Sequence, residues 1–97
     1  MDYLKEYNMT DEDINDIYNS LSEEEWIMIS TSSSRVEELL EYFTSLGITY
    51  YKDLFIEKPN IFLFDVEDIE KRINECNEED IINKLKDNIY NFELLGI

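Results

Sequence analysis

The sequence predicts an all-α fold of about six helices, because its helix-start signals, glycines and apolar spacing agree. Five residues suited to a helix N-cap each precede an acidic residue by three positions. The pairs are Thr10 with Asp13, Ser22 with Glu25, Ser34 with Glu37, Asp65 with Asp68, and Asn77 with Asp80. Such pairs satisfy free backbone N–H groups and complement the positive end of the helix dipole. The two glycines, Gly47 and Gly96, each follow a leucine at the end of a helical pattern, where glycine commonly terminates a helix.

Apolar residues at spacings of three and four locate the helices along the chain. The pattern is clearest for Val36, Leu39, Leu40, Phe43 and Leu46, for Val66, Ile69, Ile73 and Cys76, and for Ile82, Leu85, Ile89, Phe92 and Leu95. Helices are predicted at 11–21, 23–29, 35–46, 50–58, 66–76 and 78–95, with a short helical turn at 3–7. We expect one shared core of Val36, Leu39, Leu40, Phe43, Leu54, Ile69, Ile73, Leu85, Ile89 and Phe92.

Residues 60–64, which follow Pro59, are the one segment whose composition also suits a strand. No second segment is available to pair with it, and an isolated strand is not stable. The segment is therefore predicted to form a tight, buried turn.

The chain shows internal similarity at an offset of about 33 residues, a period typical of stacked helical hairpins. Residues 26–29 align with 59–62, the stripe of Val36, Leu40 and Phe43 aligns with Ile69, Ile73 and Cys76, and 45–48 returns as 94–97. The segment from Leu46-Gly47-Ile48 through Lys58-Pro59-Asn60-Ile61-Phe62 to Ile69 resembles the repeats of mitochondrial transcription termination factor (mTERF-type) proteins. The resemblance implies a helical-repeat fold. The nucleic-acid binding of that family uses a basic face, which this acidic chain lacks.

Charge is the most informative property of the chain for function. The 97 residues carry 24 acidic and eight basic side chains, for a formal net charge of -16 without histidine. Such a field repels DNA, RNA and anionic membranes and attracts basic surfaces, including those that hold nucleic acid. We expect a single acidic domain, 1–97. No apolar run is long enough to span a bilayer, so we expect the protein to be located in the cytoplasm.

The sequence offers no catalytic, cofactor or metal site, so we expect a protein that is not an enzyme. Without histidine there is no Ser–His or Cys–His dyad, and two isolated glycines cannot form a phosphate-binding loop. The acidic segment beginning at Asp11 fails as a calcium loop, because Asp16 stands where glycine is needed and Ser22 where a bidentate glutamate is needed. Cys76 lies on an apolar helical stripe and is expected to be a buried core thiol.

The acidic charge is concentrated in the N-terminal quarter, where residues 1–25 hold nine acids and one base. Glu12 and Asp16 are neighbours on one helix face, an arrangement that costs helix stability and that recognition of a basic surface would explain. Tyr18 and Trp26 border the acidic run, and such aromatics often anchor interfaces. The predicted partner-binding residues are Asp11, Glu12, Asp13, Asp16, Tyr18, Glu23, Glu24 and Glu25, with Trp26 either an anchor beside them or a core residue.

In size and charge the chain resembles phage-encoded acidic inhibitors of the anti-CRISPR and DNA-mimic type, and immunity proteins that neutralise basic nuclease toxins. The first resemblance implies a protein that occupies the basic groove of a nucleic-acid-handling enzyme or effector and does not itself bind nucleic acid. Two alternatives remain open at this point. The chain is a helical-repeat adaptor that binds a protein through residues 61–64, or its acids serve only solubility and helix capping.

Overall fold

The computed structural model describes residues 2–97, which form helices and turns and contain no strand. The α-helices are α1 Asp11–Ser20, α2 Glu23–Thr31, α3 Ser33–Ser45, α4 Tyr51–Glu57, α5 Val66–Glu75 and α6 Ile81–Asp87. Three 3-10 helices cover Asp2–Tyr7 at the N-terminus, Pro59–Leu63 in the centre and Ile89–Leu95 at the C-terminus. The all-α prediction is confirmed, and the molecule measures 37 × 21 × 20 Å along its principal axes.

Two of the five predicted N-caps are confirmed, and both initiate the helices of the acidic quarter. The Thr10 hydroxyl accepts the Asp13 N–H while Asp13 accepts the Thr10 N–H, and Ser22 and Glu25 make the same reciprocal pair. The Ser34 cap is wrong, because α3 already begins at Ser33. Only Ser32 separates it from the end of α2 at Thr31. The short link between α2 and α3 leaves no room for a separate capping turn.

The caps predicted for the two later helices also differ from the structure. Asp65 is the N-cap residue of α5, but its side chain makes no capping hydrogen bond. Asn77 does not cap α6, which begins only after Asp80, a residue held in the left-handed region at φ 54°. Residues 78–80 form a bend and turn instead of helix, so α6 starts three residues later than the prediction.

The helix predicted for 78–95 is divided at Asn88 and is not continuous. Asn88 adopts an extended conformation, and its side chain accepts the N–H of Tyr90 at 2.9 Å to start the C-terminal 3-10 helix. The Asn91 amide donates to the Lys84 carbonyl at 2.7 Å and so binds the two segments together. The apolar spacing continues through the break, which is why periodicity alone did not reveal it.

The buried apolar side chains form one cluster that receives residues from every helix. Its members are Leu4, Met9, Ile17, Ile29, Val36, Leu39, Leu40, Phe43, Ile48, Leu54, Phe55, Ile61, Phe62, Ile69, Ile73, Ile81, Leu85, Phe92 and Leu95. Nine of the ten predicted core residues belong to it, and Ile89 is the exception because it is only half-buried against the cluster. Cys76 is likewise half-buried, with Sγ 3.9 Å from the Leu94 carbonyl oxygen.

The central 3-10 helix confirms the buried turn predicted after Pro59. Ile61 and Phe62 are fully buried, and the Phe62 ring stacks on Phe55 of α4 with centroids 4.0 Å apart and planes 7° apart. This helix contacts α2, α3 and α4, so it lies at the centre of the packing. Ile61 and Phe62 are core residues and are not accessible to a partner, whereas Leu63 is 39% exposed and Phe64 is half-buried, so the adaptor hypothesis for residues 61–64 now depends on those two side chains.

Candidate protein-binding surface

The first turns of α1 and α2 hold six of the predicted partner-binding acids, and the backbone already uses two of them. The Asp13 carboxylate accepts the Thr10 N–H at 3.0 Å, and the Glu25 carboxylate accepts the Ser22 N–H at 2.9 Å. These hydrogen bonds fix both side chains against their own helix ends. Asp13 and Glu25 therefore have a structural role that explains their presence without a partner.

Lys52 of α4 bridges two carboxylates of α1, and its single positive charge offsets one of their two negative charges. Its Nζ lies 2.8 Å from Asp16 and 3.1 Å from Asp13, which joins two elements far apart in sequence. The hydrogen bonds donated to Asp16 and then to Asp13 raise the pKa of the Lys52 ammonium. The hydrogen bond from the Thr10 backbone, followed by the one from Lys52, lowers the pKa of Asp13. Asp13 is thus held ionised by groups of this chain, and Asp16 is bound by the same lysine.

Asp11 is also paired internally, although in an exposed position. Lys5 of the N-terminal 3-10 helix lies 2.8 Å from its carboxylate, and the hydrogen bond donated to Asp11 is the main cause of the raised pKa of Lys5. An ion pair this exposed is weak and is readily exchanged for a pair with another cation.

Three of the predicted acids lie in solvent without an ion pair or hydrogen bond to any residue of 2–97. They are Glu12 of α1 and Glu23 and Glu24 of α2, which we call the α1–α2 acidic surface. Asp16 is paired with Lys52, so of the two predicted neighbours Glu12 and Asp16 only Glu12 has no ion pair with a residue of 2–97. The structure thus separates the candidate residues into acids that hold the fold together and acids that face solvent.

Tyr18 and Trp26 meet at the junction of α1 and α2. Their ring centroids are 4.5 Å apart and the ring planes are at 89°, an edge-to-face arrangement favoured by aromatic quadrupoles. Tyr18 is 51% exposed and Trp26 is half-buried. A cavity of about 460 Å³ opens beside the pair, and we call it the Tyr18–Trp26 cavity. Its lining consists of Tyr18, Asn19, Leu21, Ser22, Glu23, Trp26 and Ile27.

A second acidic region was missed by sequence reasoning. A groove of about 680 Å³ lies between α3 and the start of α5, and we call it the α3–α5 groove. It is lined by Glu38, Glu41, Tyr42, Asp65, Val66 and Glu67. None of these lining residues is basic. A count of charge along consecutive residues hides this feature, because its acids come from two segments that only the contact between α3 and α5 brings together.

Carboxylates on and near α3 contribute to the raised pKa values of two tyrosines, Tyr42 and Tyr7. Burial and then the Glu70 carboxylate raise the pKa of Tyr42. Burial, followed by the nearby Glu41 and Glu37 carboxylates, raises the pKa of Tyr7. Burial is the larger cause in both tyrosines, and the carboxylates add to it because a phenol loses its proton less readily beside negative charge.

Some basic residues of the C-terminal half make contacts within the chain, whereas Lys71 and Lys86 are exposed and form no ion pair with a residue of 2–97. Arg72 lies 4.8 Å over the Phe64 ring and donates to the Leu95 carbonyl at 2.8 Å. Lys84 pairs with Glu78 at 2.8 Å, and Lys58 lies 3.5 Å from Glu93. Lys58 and Lys84 therefore each oppose one carboxylate, while Arg72 contacts a ring and a carbonyl and opposes none.

Among residues 2–97 no three acidic or thiol side chains converge in a way that would hold a metal ion. The same residues include no helix with the length and apolar character needed to cross a bilayer. A comparison with known protein families, with curated proteins and with solved structures finds no match to this chain. The resemblances to mTERF-type repeats and to phage inhibitors therefore stay predictions.

Proposed function

We propose that this protein binds, rather than catalyses, and that it inhibits a nucleic-acid-handling protein by occupying its basic groove in the manner of a DNA mimic or anti-CRISPR protein. It would act in the cytoplasm, where that groove otherwise holds DNA or RNA. An immunity protein for a basic nuclease toxin would use the same chemistry on the same kind of surface.

The observation that carries the proposal is the large excess of uncompensated acid. Of the 24 acidic side chains, five form an ion pair with a lysine among residues 2–97. The partners are Asp11, Asp13, Asp16, Glu78 and Glu93. Self-repulsion of this magnitude destabilises a compact fold, and binding to a basic groove would relieve it.

The dimensions of the molecule support a nucleic-acid mimic. Duplex DNA carries one negative charge per ~1.7 Å of its axis, or about 22 charges over the length of this protein. The protein carries a net charge of -16 on a body 37 Å long. Its linear charge density thus approaches that of a duplex and exceeds that of one strand, which carries one charge per about 3.4 Å.

The test compares two triple variants that remove the same charge from different places. Glu12→Gln with Glu23→Gln and Glu24→Gln neutralises the α1–α2 acidic surface. Glu75→Gln with Glu79→Gln and Asp87→Asn neutralises three exposed acids that likewise pair with nothing among residues 2–97. Asp16 and Glu78 are left unchanged, because each forms an ion pair with a lysine and its loss would change contacts within the fold.

Affinity for a basic partner isolated on the immobilised wild-type protein is then measured by calorimetry. We expect the first variant to bind about tenfold or more weakly, a loss of about 1.4 kcal/mol, and the second to bind nearly as the wild type does. Equal losses of affinity in the two variants would show that binding depends on the charge of the whole molecule and not on the α1–α2 acidic surface. Unchanged affinity in both variants would contradict recognition by charge.

A further inference from the structure

The Tyr18–Trp26 cavity combines exposed apolar surface with a carboxylate, and none of its lining residues is basic. Among residues 2–97 six large apolar or aromatic side chains are exposed, and two of them, Tyr18 and Ile27, border this one cavity at 51% and 52% exposure. Leu21 supplies a half-buried apolar wall, and Glu23 lies on the rim. Exposed apolar surface with a polar rim is the composition of an interaction site.

We propose that this cavity receives an arginine side chain of the basic partner. The inference rests on the proposed function, because a basic groove supplies the arginine. It deepens that function by specifying one contact that depends on shape and aromatic character as well as on charge.

The aromatic geometry suits a guanidinium group. Since the Tyr18 and Trp26 rings are perpendicular, they form a corner in which a flat guanidinium stacks on one ring face. The aliphatic stem of the arginine then lies along Leu21 and Ile27, as such stems commonly cover apolar surface. The chain uses a similar contact internally, where the Arg72 guanidinium lies 4.8 Å over an aromatic ring.

The charge of the cavity favours the same ligand. Glu23 is exposed and has no partner among residues 2–97, and none of the residues that line the cavity is basic. Its carboxylate is free to accept the paired N–H groups that arginine presents in a planar fork. Lysine offers a compact, strongly hydrated ammonium that matches the carboxylate but gains less from the ring face. The cavity should therefore prefer arginine to lysine at equal charge.

The preference is measured with peptides, without nucleic acid or a natural partner. Trp26 is the single tryptophan of the chain, so its fluorescence reports on this cavity alone. The protein is titrated with an arginine homopeptide and with a lysine homopeptide of equal length, both blocked at their ends, at one ionic strength. We expect the arginine peptide to bind about two- to fivefold more tightly, the range of an exposed cation–π contact.

Three variants locate the effect. Tyr18→Ala should abolish the preference for arginine, and Glu23→Gln should weaken both peptides. Tyr90→Ala is the matched control, because Tyr90 is 55% exposed and lies beside the Glu57 carboxylate but outside the cavity, and it should retain the preference. Circular dichroism spectra that match the wild type establish that each variant is folded.

Equal binding of the two peptides to the wild-type protein would overturn the arginine site, as would a preference that survives Tyr18→Ala. Neither result would affect the proposed function, which depends on the charge of the α1–α2 acidic surface and not on a preference for arginine over lysine. Conversely, the wild-type protein could prefer the arginine peptide while the α1–α2 triple variant binds the partner as tightly as the wild type does. That combination would support the arginine site and reject the charge-based function.

Discussion

At the scale of single residues, the structure shows where a side chain is constrained by backbone geometry. Gly47 ends α3 with φ at 85°, and the Ile48 N–H returns to the Phe43 carbonyl at 2.9 Å. A Cβ on Gly47 would lie 2.9 Å from Cε of Lys86. The lysine is flexible and can move aside, so the left-handed backbone is the main reason that glycine is required here.

Gly47→Ala should lower the free energy of unfolding by about 1–2 kcal/mol, the cost of a left-handed L-residue. The urea-unfolding midpoint measures it. The variant Gly47→Ala with Lys86→Ala removes the close contact and keeps the strained backbone, so it should regain little stability. Full recovery in the double variant would show that the lysine contact, and not the backbone, sets the cost.

Tyr50 gives the structure a titratable group with a predictable sign. Its hydroxyl donates to the Leu85 carbonyl, and burial, followed by the Asp53 carboxylate, raises its pKa from 10.0 to about 12. Since the folded state holds this proton more tightly than the unfolded state, the resulting stability is present below about pH 10 and declines as the pH rises towards 12.

The wild-type protein should therefore lose stability steeply above about pH 10, and Tyr50→Phe should make that loss shallower. Thermal unfolding followed by circular dichroism at a series of pH values measures the slope. Tyr18→Phe is the control at an exposed tyrosine whose hydroxyl makes no hydrogen bond to a residue of 2–97. A slope that is identical in the wild type and in Tyr50→Phe would contradict the assignment.

At the scale of elements, the two reciprocal caps set the starts of α1 and α2. These helices present the acidic surface, so the caps also fix the position of the carboxylates that face solvent. The contact between Lys52 and α1 adds a tertiary link to α4, which explains why a helix crowded with acids is retained in the fold.

Thr10→Ala and Ser22→Ala should each lower the free energy of unfolding by about 1 kcal/mol, the usual contribution of an N-cap hydroxyl. Ser34 was predicted from the sequence to be a cap, but it lies inside α3. Ser34→Ala should therefore be neutral or slightly stabilising, because alanine is the better helix former. A loss at Ser34 equal to that at Ser22 would mean that α3 starts later than the structure shows.

The sequence was sufficient for the all-α class and for most of the core, because apolar spacing and the caps of α1 and α2 are local signals. It failed where a side-chain hydrogen bond or a tertiary contact decides the outcome. Asn88 interrupts the last helix through hydrogen bonds that periodicity does not reveal, and Lys52 pairs with carboxylates 36 and 39 residues away. The candidate site was therefore predicted by composition, while the division between structural and solvent-facing acids required the fold.

At the scale of the whole molecule, a net charge of -16 opposes a single core of apolar residues. The core supplies the stability, and repulsion among uncompensated carboxylates subtracts from it. Leu40 is fully buried in the cluster, so Leu40→Ala should lower the free energy of unfolding by about 2–5 kcal/mol in urea denaturation. A loss below that of a surface substitution would place Leu40 outside the core.

Salt should raise the melting temperature, because charges further apart than about 10 Å are screened at 0.1 M ionic strength. Scanning calorimetry over a series of sodium chloride concentrations measures the change. The α1–α2 triple variant, which has three fewer negative charges, should respond less. A melting temperature that falls with salt would show that the ion pairs of Lys5, Lys52 and Lys84 outweigh the repulsion.

The central claim is that this protein and nucleic acid compete for one groove. The direct measurement is the release of a labelled duplex from the basic partner as the protein is added, at low and at moderate salt. The account predicts complete displacement, with an apparent affinity that weakens steeply as salt rises, since surface charge drives the encounter. A stable ternary complex of partner, duplex and this protein would contradict it.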